Sequence, residues 1–340
     1  MRKFIIKILI FLFPLSFFLI EGFLPLNSFT YRPWESLSFN DYKSNMPFFP
    51  NEKIKMISEG DLCYYTENAC KKNENWTTDK IGYRNDNFVS NPDILLIGDS
   101  FIAGSGNTQD FTITNQLKLL IKNDKIYNIA PASINDFKSL YENQIIQKPK
   151  VVILSKVERN ALPKINLNSK KKISYNYIKF KILKNKFTRF YFLKYMRSRI
   201  KNQYGVGTQS PINPKMFFLN GIKQVDNVNN INTSVNTIKS YKKYFDSLGI
   251  QFIFLPIPNK ETVYYEEVPF ENQPKYINMV CNELDKLKIT NINSVSEFNR
   301  FRNNHKNTLI YHLDDSHWNS KGINIIAKKI IQVLPKEINQ

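Results

Sequence analysis

Apolar and polar positions divide this chain into a membrane-length apolar head, an irregular stretch and a long alternation of strand-like and helix-like segments. The alternation opens at Ile94-Leu95-Leu96-Ile97, four apolar residues that follow Pro92-Asp93 and stop at Gly98. A short apolar run bounded by turn residues reads as a strand buried on both faces, as in parallel sheets. Comparable runs predict strands at Ile126–Ile129, Val151–Leu154 and Gln251–Leu255. Helical periodicity predicts helices at Thr112–Lys122, Asp136–Gln147, Ser234–Leu248, Pro274–Leu287 and Ser320–Val333. In the third of these, Val235, Ile238, Tyr241, Phe245 and Leu248 form the inward stripe, Ser234 suits the N-cap and Gly249 the residue after the C-cap. The alternation predicts an α/β fold, a parallel sheet between helical layers with right-handed crossovers.

The head, Phe4 to Leu26, is interrupted only by Lys7 and Glu21 and by the tolerable Pro14. As a helix it would be about 35 Å long, enough to cross a bilayer. Arg2 and Lys3 precede it and predict that its amino end faces the cytoplasm and the rest of the chain the outside. A cleaved signal peptide is the rival reading. No small-x-small cleavage site is visible near Glu21-Gly22-Phe23-Leu24, which favours a retained anchor. Residues 27–90, rich in Asn, Pro and aromatic side chains, read as an extended arm that wraps a domain spanning residues 91–340.

Charge adds a second irregularity. The chain carries a net charge of +19, and between Arg159 and Val225 it has no acid and sixteen Lys or Arg. With interleaved aromatic residues, this marks an inserted basic helical arm at about residues 163–230. It suits an anionic membrane surface, an acidic polysaccharide or partner, or a lid with a solvated basic face. An exported topology sets nucleic acid aside as a partner. Cys63 and Cys70 lie close enough in sequence to bridge in an oxidising compartment, and Cys281 reads as a buried thiol in a helix. No Cys/His cluster has metal-ligand spacing and no phosphate-binding glycine loop is present, so no cofactor is implied.

Two stretches carry candidate chemistry. Gly98-Asp99-Ser100 sits where the first strand leaves the sheet at its carboxyl edge, where open α/β sheets keep their ligands. A serine nucleophile needs an imidazole base, and the imidazole needs a carboxylate. The chain has three histidines, and His317 has Asp314 and Asp315 just before it and a helix just after.

Gly-Asp-Ser early and Asp-x-x-His late, in that order, resemble the SGNH/GDSL hydrolase superfamily. Further details resemble its alginate O-acetyltransferase-like branch. They are Asp315-Ser316-His317-Trp318 with Gly322, the segment Leu255-Pro256-Ile257-Pro258-Asn259-Lys260-Glu261-Thr262-Val263-Tyr264, and Thr78-Asp79-Lys80-Ile81-Gly82-Tyr83-Arg84 upstream of the serine. The resemblance spans roughly Asp79 to Gln340. It implies a three-layer α/β/α, flavodoxin-like parallel sheet, with Ser100 as nucleophile, His317 as base and Asp315 or Asp314 as the orienting acid. Two superfamily blocks depart from pattern. Alanines Ala130 and Ala132 stand near the expected oxyanion glycine, and Glu158-Arg159-Asn160 replaces Gly-x-Asn-Asp. The oxyanion or substrate-binding candidates are then Ser100, Ala130, Ala132, Arg159, Asn160, Lys260, Tyr264 and Trp318, the last with packing beside the base as its alternative. Arg84 is expected either to pair with a carboxylate beneath the site or to be a surface charge. The resemblance further implies acyl transfer to a surface polysaccharide, with acetyl groups from a membrane-bound acyltransferase, on the extracytoplasmic side of the inner membrane. An esterase and a non-catalytic glycan-binding scaffold are the alternatives.

Overall fold

The computed structural model describes residues 2–39, 46–166, 175–221 and 228–338. A first helix, α1 (Arg2–Phe23), runs unbroken through Pro14 with its apolar side chains outward. It is long and apolar enough to cross a membrane, as an anchor or a signal sequence would be. Residues 27–90 are more than an extended arm. They hold the short helix α2 (Pro33–Leu37) and an antiparallel hairpin, β1 (Lys53–Ser58) with β2 (Lys72–Thr77). These elements close a small separate core around Leu37, Phe48, Phe49 and Trp76, to which Ile178 of the basic insertion is added.

The central sheet has four parallel strands: β3 (Ile94–Ile97), β4 (Ile126–Asn128), β5 (Val151–Val157) and β8 (Gln251–Ile257). Their order is β4-β3-β5-β8, with Ile94 level with Ile126 on one side and Val151 on the other. Alternation along the strands builds two cores. Ile94, Leu96, Ile153 and Ile253 face α4 (Ile113–Ile121), α11 (Ser294–Asn304) and α12 (Ser320–Val333). Leu95, Ile97, Val152 and Phe252 face α5 (Ile134–Glu142), α8 (Val228–Ser247) and α10 (Tyr276–Lys286). Burying both faces is what makes each strand a near-continuous apolar run.

Two local expectations need correction. Ser234 is not an N-cap. α8 begins six residues earlier, and the Ser234 hydroxyl sits inside the helix, 2.6 Å from that of Tyr276. Gly249 does adopt the left-handed conformation after α8 (φ 64°). Helix α11 has no predicted counterpart. It is polar on most of its surface and buries only a short stripe, Val295 and Phe298, so its periodicity is weak.

The basic insertion forms α6 (Tyr175–Thr188) and α7 (Tyr191–Ile200), followed by a two-residue ladder, β6 (Thr208–Gln209) with β7 (Phe217–Phe218). Lys170–Lys172 lie outside the described residues. Cys63 and Cys281 are buried, Cys70 is exposed, and all three are free thiols.

Candidate active site

Ser100 opens α3 (Ser100–Ala103), directly at the carboxyl end of β3. The preceding Asp99 makes this turn stable. Its Oδ1 accepts the Phe101 amide at 3.1 Å as an N-cap, and its Oδ2 accepts the Val157 amide at 3.3 Å, tying the turn to β5. Gly98 is required for space, since a Cβ there would lie 2.5 Å from Ile102 Cγ1 and 3.3 Å from Ser155 Cβ. The far end of α3 is held by Arg84. Its buried guanidinium donates to the carbonyls of Ala103, Gly104, Asn107 and Asn75 and to Gln109 Oε1. Arg84 is therefore buried as one expectation had it, but carbonyls take the place of a carboxylate, and burial pushes its pKa down to about 9. The adjoining Asp79 accepts the Ile81 and Tyr83 amides, the Asn85 amide side chain and the Tyr127 hydroxyl.

The second half of the site is a tight loop between the facing residues Tyr311 and Trp318, closed by the His312 amide donating to the His317 carbonyl. Within it His317 Nδ1 lies 2.6 Å from Asp315 Oδ1, and Nε2 lies 2.7 Å from Ser100 Oγ. A carboxylate at Nδ1 fixes the proton there and leaves Nε2 as the acceptor. Burial opposes a charge on Asp315, but the His317 ring and its hydrogen bond, then Lys72 and Arg32, outweigh it and hold the carboxyl well below the usual range. Of the other two histidines, His305 lies away from the site, stacked on Phe301, and His312 sits in the same loop, where burial keeps it neutral.

Asp314 points away from His317. Its Oδ2 accepts the Gly60 amide at 2.9 Å and the Cys70 amide at 2.8 Å, and burial raises its pKa. Neither aspartate caps α12, which is capped by Asn319.

Several expected site residues lie behind this geometry. The Ala130 amide donates to Asn128 Oδ1 at 2.6 Å and the Ala132 amide to the Gly98 carbonyl at 2.8 Å, so neither N–H is free for an oxyanion. Ala132 instead lines a cavity of about 200 Å³ at the same sheet edge with Asp99, Ser133, Ser155 and Lys156. Lys260, the first residue of α9 (Lys260–Val263), does not line a cleft. It is buried, and its Nζ donates to the carbonyls of Phe217, Leu313 and Asp315 at 2.7, 2.8 and 3.3 Å. Desolvation lowers its pKa to about 8. Tyr264 is buried too, its hydroxyl accepting the Ile310 amide. Trp318 is fully buried and donates to the Phe101 carbonyl at 3.3 Å, which leaves no face for a sugar and makes it packing beside the base. Asn160 is exposed and lines a separate crevice with Ser234 and Tyr276. Arg159 remains at the site. Half-buried and held by Asn259 Oδ1 at 3.1 Å, its guanidinium lies 5.6 Å from the Phe101 ring, which abuts His317 at 4.6 Å.

The residues that no motif revealed come from the amino-terminal arm. Asp61 accepts the Ser316 amide and hydroxyl, both at 2.8 Å, and its Oδ2 lies 3.7 Å from His317 Nδ1. Its own amide donates to Asp315 Oδ2 at 3.2 Å. Arg32 Nη1 lies 3.6 Å from Asp61, and Lys72 Nζ 4.0 Å from Asp315. A Cβ on Gly60 would lie 2.1 Å from the Asp314 carbonyl oxygen, so the arm meets the loop backbone to backbone. The stretch Glu59-Gly60-Asp61 carries no motif of its own. Asp61, Asp315 and His317 present ligand atoms within 4.8 Å of one another, atoms already engaged with each other and with Ser316.

Residues 216–340 match the family model described as SGNH hydrolase-like domain, acetyltransferase AlgX, a little over a third of the chain. No curated protein matches. Among solved structures, the chain is similar to an acetylxylan esterase from Geobacillus stearothermophilus (15% identity, 70% of this chain, 92% of that one, TM-score 0.33). It is also similar to putative lipolytic protein of the G-D-S-L family from Desulfitobacterium hafniense (12%, 72% and 99%, 0.34) and to a member of that family from Veillonella parvula (10%, 72% and 98%, 0.36). The fold is an α/β parallel sheet with a serine at its carboxyl edge, and its carboxy-terminal part is similar to the SGNH hydrolase-like family. The likeness to that family model covers residues 216–340, which hold Asp315 and His317 but not Ser100.

Proposed function

We propose that the chain is a membrane-anchored, extracytoplasmic O-acetyltransferase that modifies an exported polysaccharide through an acyl-enzyme on Ser100. The observation that carries this is the hydrogen-bonded relay from Asp315 through His317 to the Ser100 hydroxyl, 2.6 and 2.7 Å at its two links. In this mechanism Nε2 takes the hydroxyl proton as Oγ bonds to the acetyl carbon. The ester C–O bond then breaks and His317 returns the proton to the departing oxygen. A sugar hydroxyl, deprotonated by the same ring, attacks the acyl-enzyme and frees Ser100. Developing charge on the carbonyl oxygen meets the Ser100 amide, which has no intrahelical partner at the first position of α3, and the guanidinium of Arg159.

Water in place of the sugar would make the same site an esterase. The AlgX-type match favours the transferase. It also motivates the proposed partners, a surface polysaccharide as acceptor and a membrane-embedded acyltransferase as acetyl source. Retention of α1 as an anchor is supported by its carboxyl end, where Glu21 forms a buried ion pair with Arg189 of the insertion at 3.3 Å. Cleavage beside Glu21 would strand a buried guanidinium.

The test uses the full chain in nanodiscs with p-nitrophenyl acetate, with and without an oligosaccharide acceptor. Ser100→Ala and His317→Ala are expected to lower turnover by about 10³-fold or more. Mass spectrometry is expected to find acetylated oligosaccharide with wild type alone. Acetate release unaffected by the acceptor would leave an esterase. Equal rates in all three proteins would leave a glycan-binding scaffold.

A further inference from the structure

The basic insertion is seated on the end of α1. Phe192 packs tilted against Phe17 with ring centres 5.6 Å apart, and Phe190 and Phe187 pack edge-to-face against Phe18 and Phe23 at 5.8 and 6.3 Å. Arg189 adds bonds to the Glu21 and Leu24 carbonyls, and the Phe192 amide donates to the Glu21 carboxylate. The corner between α6 and α7 therefore touches α1 within its last two turns, about 10 Å of helix. Whatever depth that end has in a bilayer, the corner shares it.

The faces turned away from the protein are mixed in character. On α6 the exposed residues include Lys179, Phe180, Leu183 and Lys184, one side of the helix. On α7 they include Leu193, Met196, Arg197 and Ile200, again one side. Phe180 is 64% exposed and Ile200 77%, values that an aqueous surface pays for in ordered water. No acidic residue lies anywhere between Arg159 and Val225 to neutralise the cations. Large apolar side chains interleaved with cations, next to a membrane-length helix, match the chemistry of a headgroup layer.

We propose that α6 and α7 form an interfacial collar that lies in the headgroup region of an anionic phospholipid bilayer. Phe180, Leu183, Met196 and Ile200 enter the acyl boundary, and Lys179, Lys184, Lys194 and Arg197 meet lipid phosphates. The inference rests on the reading of α1 as a retained, bilayer-spanning anchor. Its consequence is that the active site is held at a fixed height and orientation above the membrane.

The test places a tryptophan at Phe180, at Ile200 or, as a reference for the anchor, at Phe11, each in the full chain in nanodiscs of brominated phosphatidylglycerol. Of the three native tryptophans, Trp76 and Trp318 are fully buried and Trp34 is half-buried, and the unsubstituted chain in the same nanodiscs supplies the background to subtract. Phe11→Trp is expected to be quenched. Phe180→Trp and Ile200→Trp are expected to lose roughly half of their added emission, as suits rings about 5–10 Å into the headgroup–acyl boundary. Quenching is expected to weaken at least twofold in brominated phosphatidylcholine and when Lys179, Lys184, Lys194 and Arg197 become Gln. Phe11→Trp quenched with both collar positions unquenched would overturn the collar alone. Phe11→Trp unquenched would overturn the anchor and the collar with it. Collar emission that ignores bilayers but shifts on adding an acidic oligosaccharide would assign the surface to a glycan instead. Equal quenching in both lipids would refute the role of the cations.

Discussion

At the scale of single residues, the site separates neighbours that sequence alone could not. Asp314 and Asp315 are adjacent acids in one loop, yet one braces the arm and the other faces His317, because a turn sends successive side chains in different directions. Replacing Asp315 with Asn removes the acceptor that fixes the His317 tautomer, and acetate release is expected to fall by about 10³–10⁴-fold. Its carboxyl is held well below the usual range, so it contributes stability wherever the unfolded chain's Asp, near pKa 3.9, is ionised. That contribution is lost as pH falls below about 4 toward the folded-state value. Melting temperatures of wild type and Asp315→Asn should therefore differ by a constant amount above about pH 5 and converge in acid. A gap that stays constant to pH 3 would show that the carboxylate has no depressed pKa to lose. Lys260 teaches a related lesson. Resemblance suggested a cleft residue, but three carbonyls bind its ammonium, and it acts through the loop that carries Asp315.

At the scale of elements, what sequence made legible was what repeats. The four sheet strands and helices α4, α10 and α12 announce themselves because burial on both faces or on one stripe imposes a period. The serine and histidine were legible for a different reason, that their chemistry demands rare residues at element ends. The hairpin arm had neither signal. Its contacts with the loop that carries His317 are backbone amides, a glycine and one short acid, which leave no period and no motif. The oxyanion alanines were misjudged because sequence cannot show that an amide is already donating. The arm supports a specific expectation. Asp61→Asn keeps the size but weakens the charge-assisted bonds to Ser316, and should cost about 10–100-fold in kcat/KM with the fold retained. Gly60→Ala, which drives a methyl into the Asp314 carbonyl, should do the same and also lower the melting temperature. Unchanged kinetics in Asp61→Asn would make the arm a cover with no part in positioning His317.

At the scale of the whole molecule, the amino-terminal third holds the domain at two places. Residues 59–61 brace the loop at 314–317, and residues 21–24 hold the insertion that leaves the sheet after β5. Helix α1 is thus tied to the domain through a buried charge pair as well as through the chain that follows it. Such a pair is a poor source of net stability but a strong constraint, since removing one partner strands the other at about 3–5 kcal/mol. Arg189→Met alone should therefore destabilise the full chain in nanodiscs by roughly that amount. Glu21→Gln alone should cost less, because the Glu21 and Leu24 carbonyls still accept from Arg189. Because each single change leaves a group that the other would have satisfied, the double variant should be markedly less destabilised than the sum, with a coupling of about 0.5–3 kcal/mol. Pulse proteolysis of the four proteins in the same nanodiscs measures that cycle. Strict additivity would mean that the pair does not couple α1 and the domain, and that the domain is free to swing on the chain that joins them.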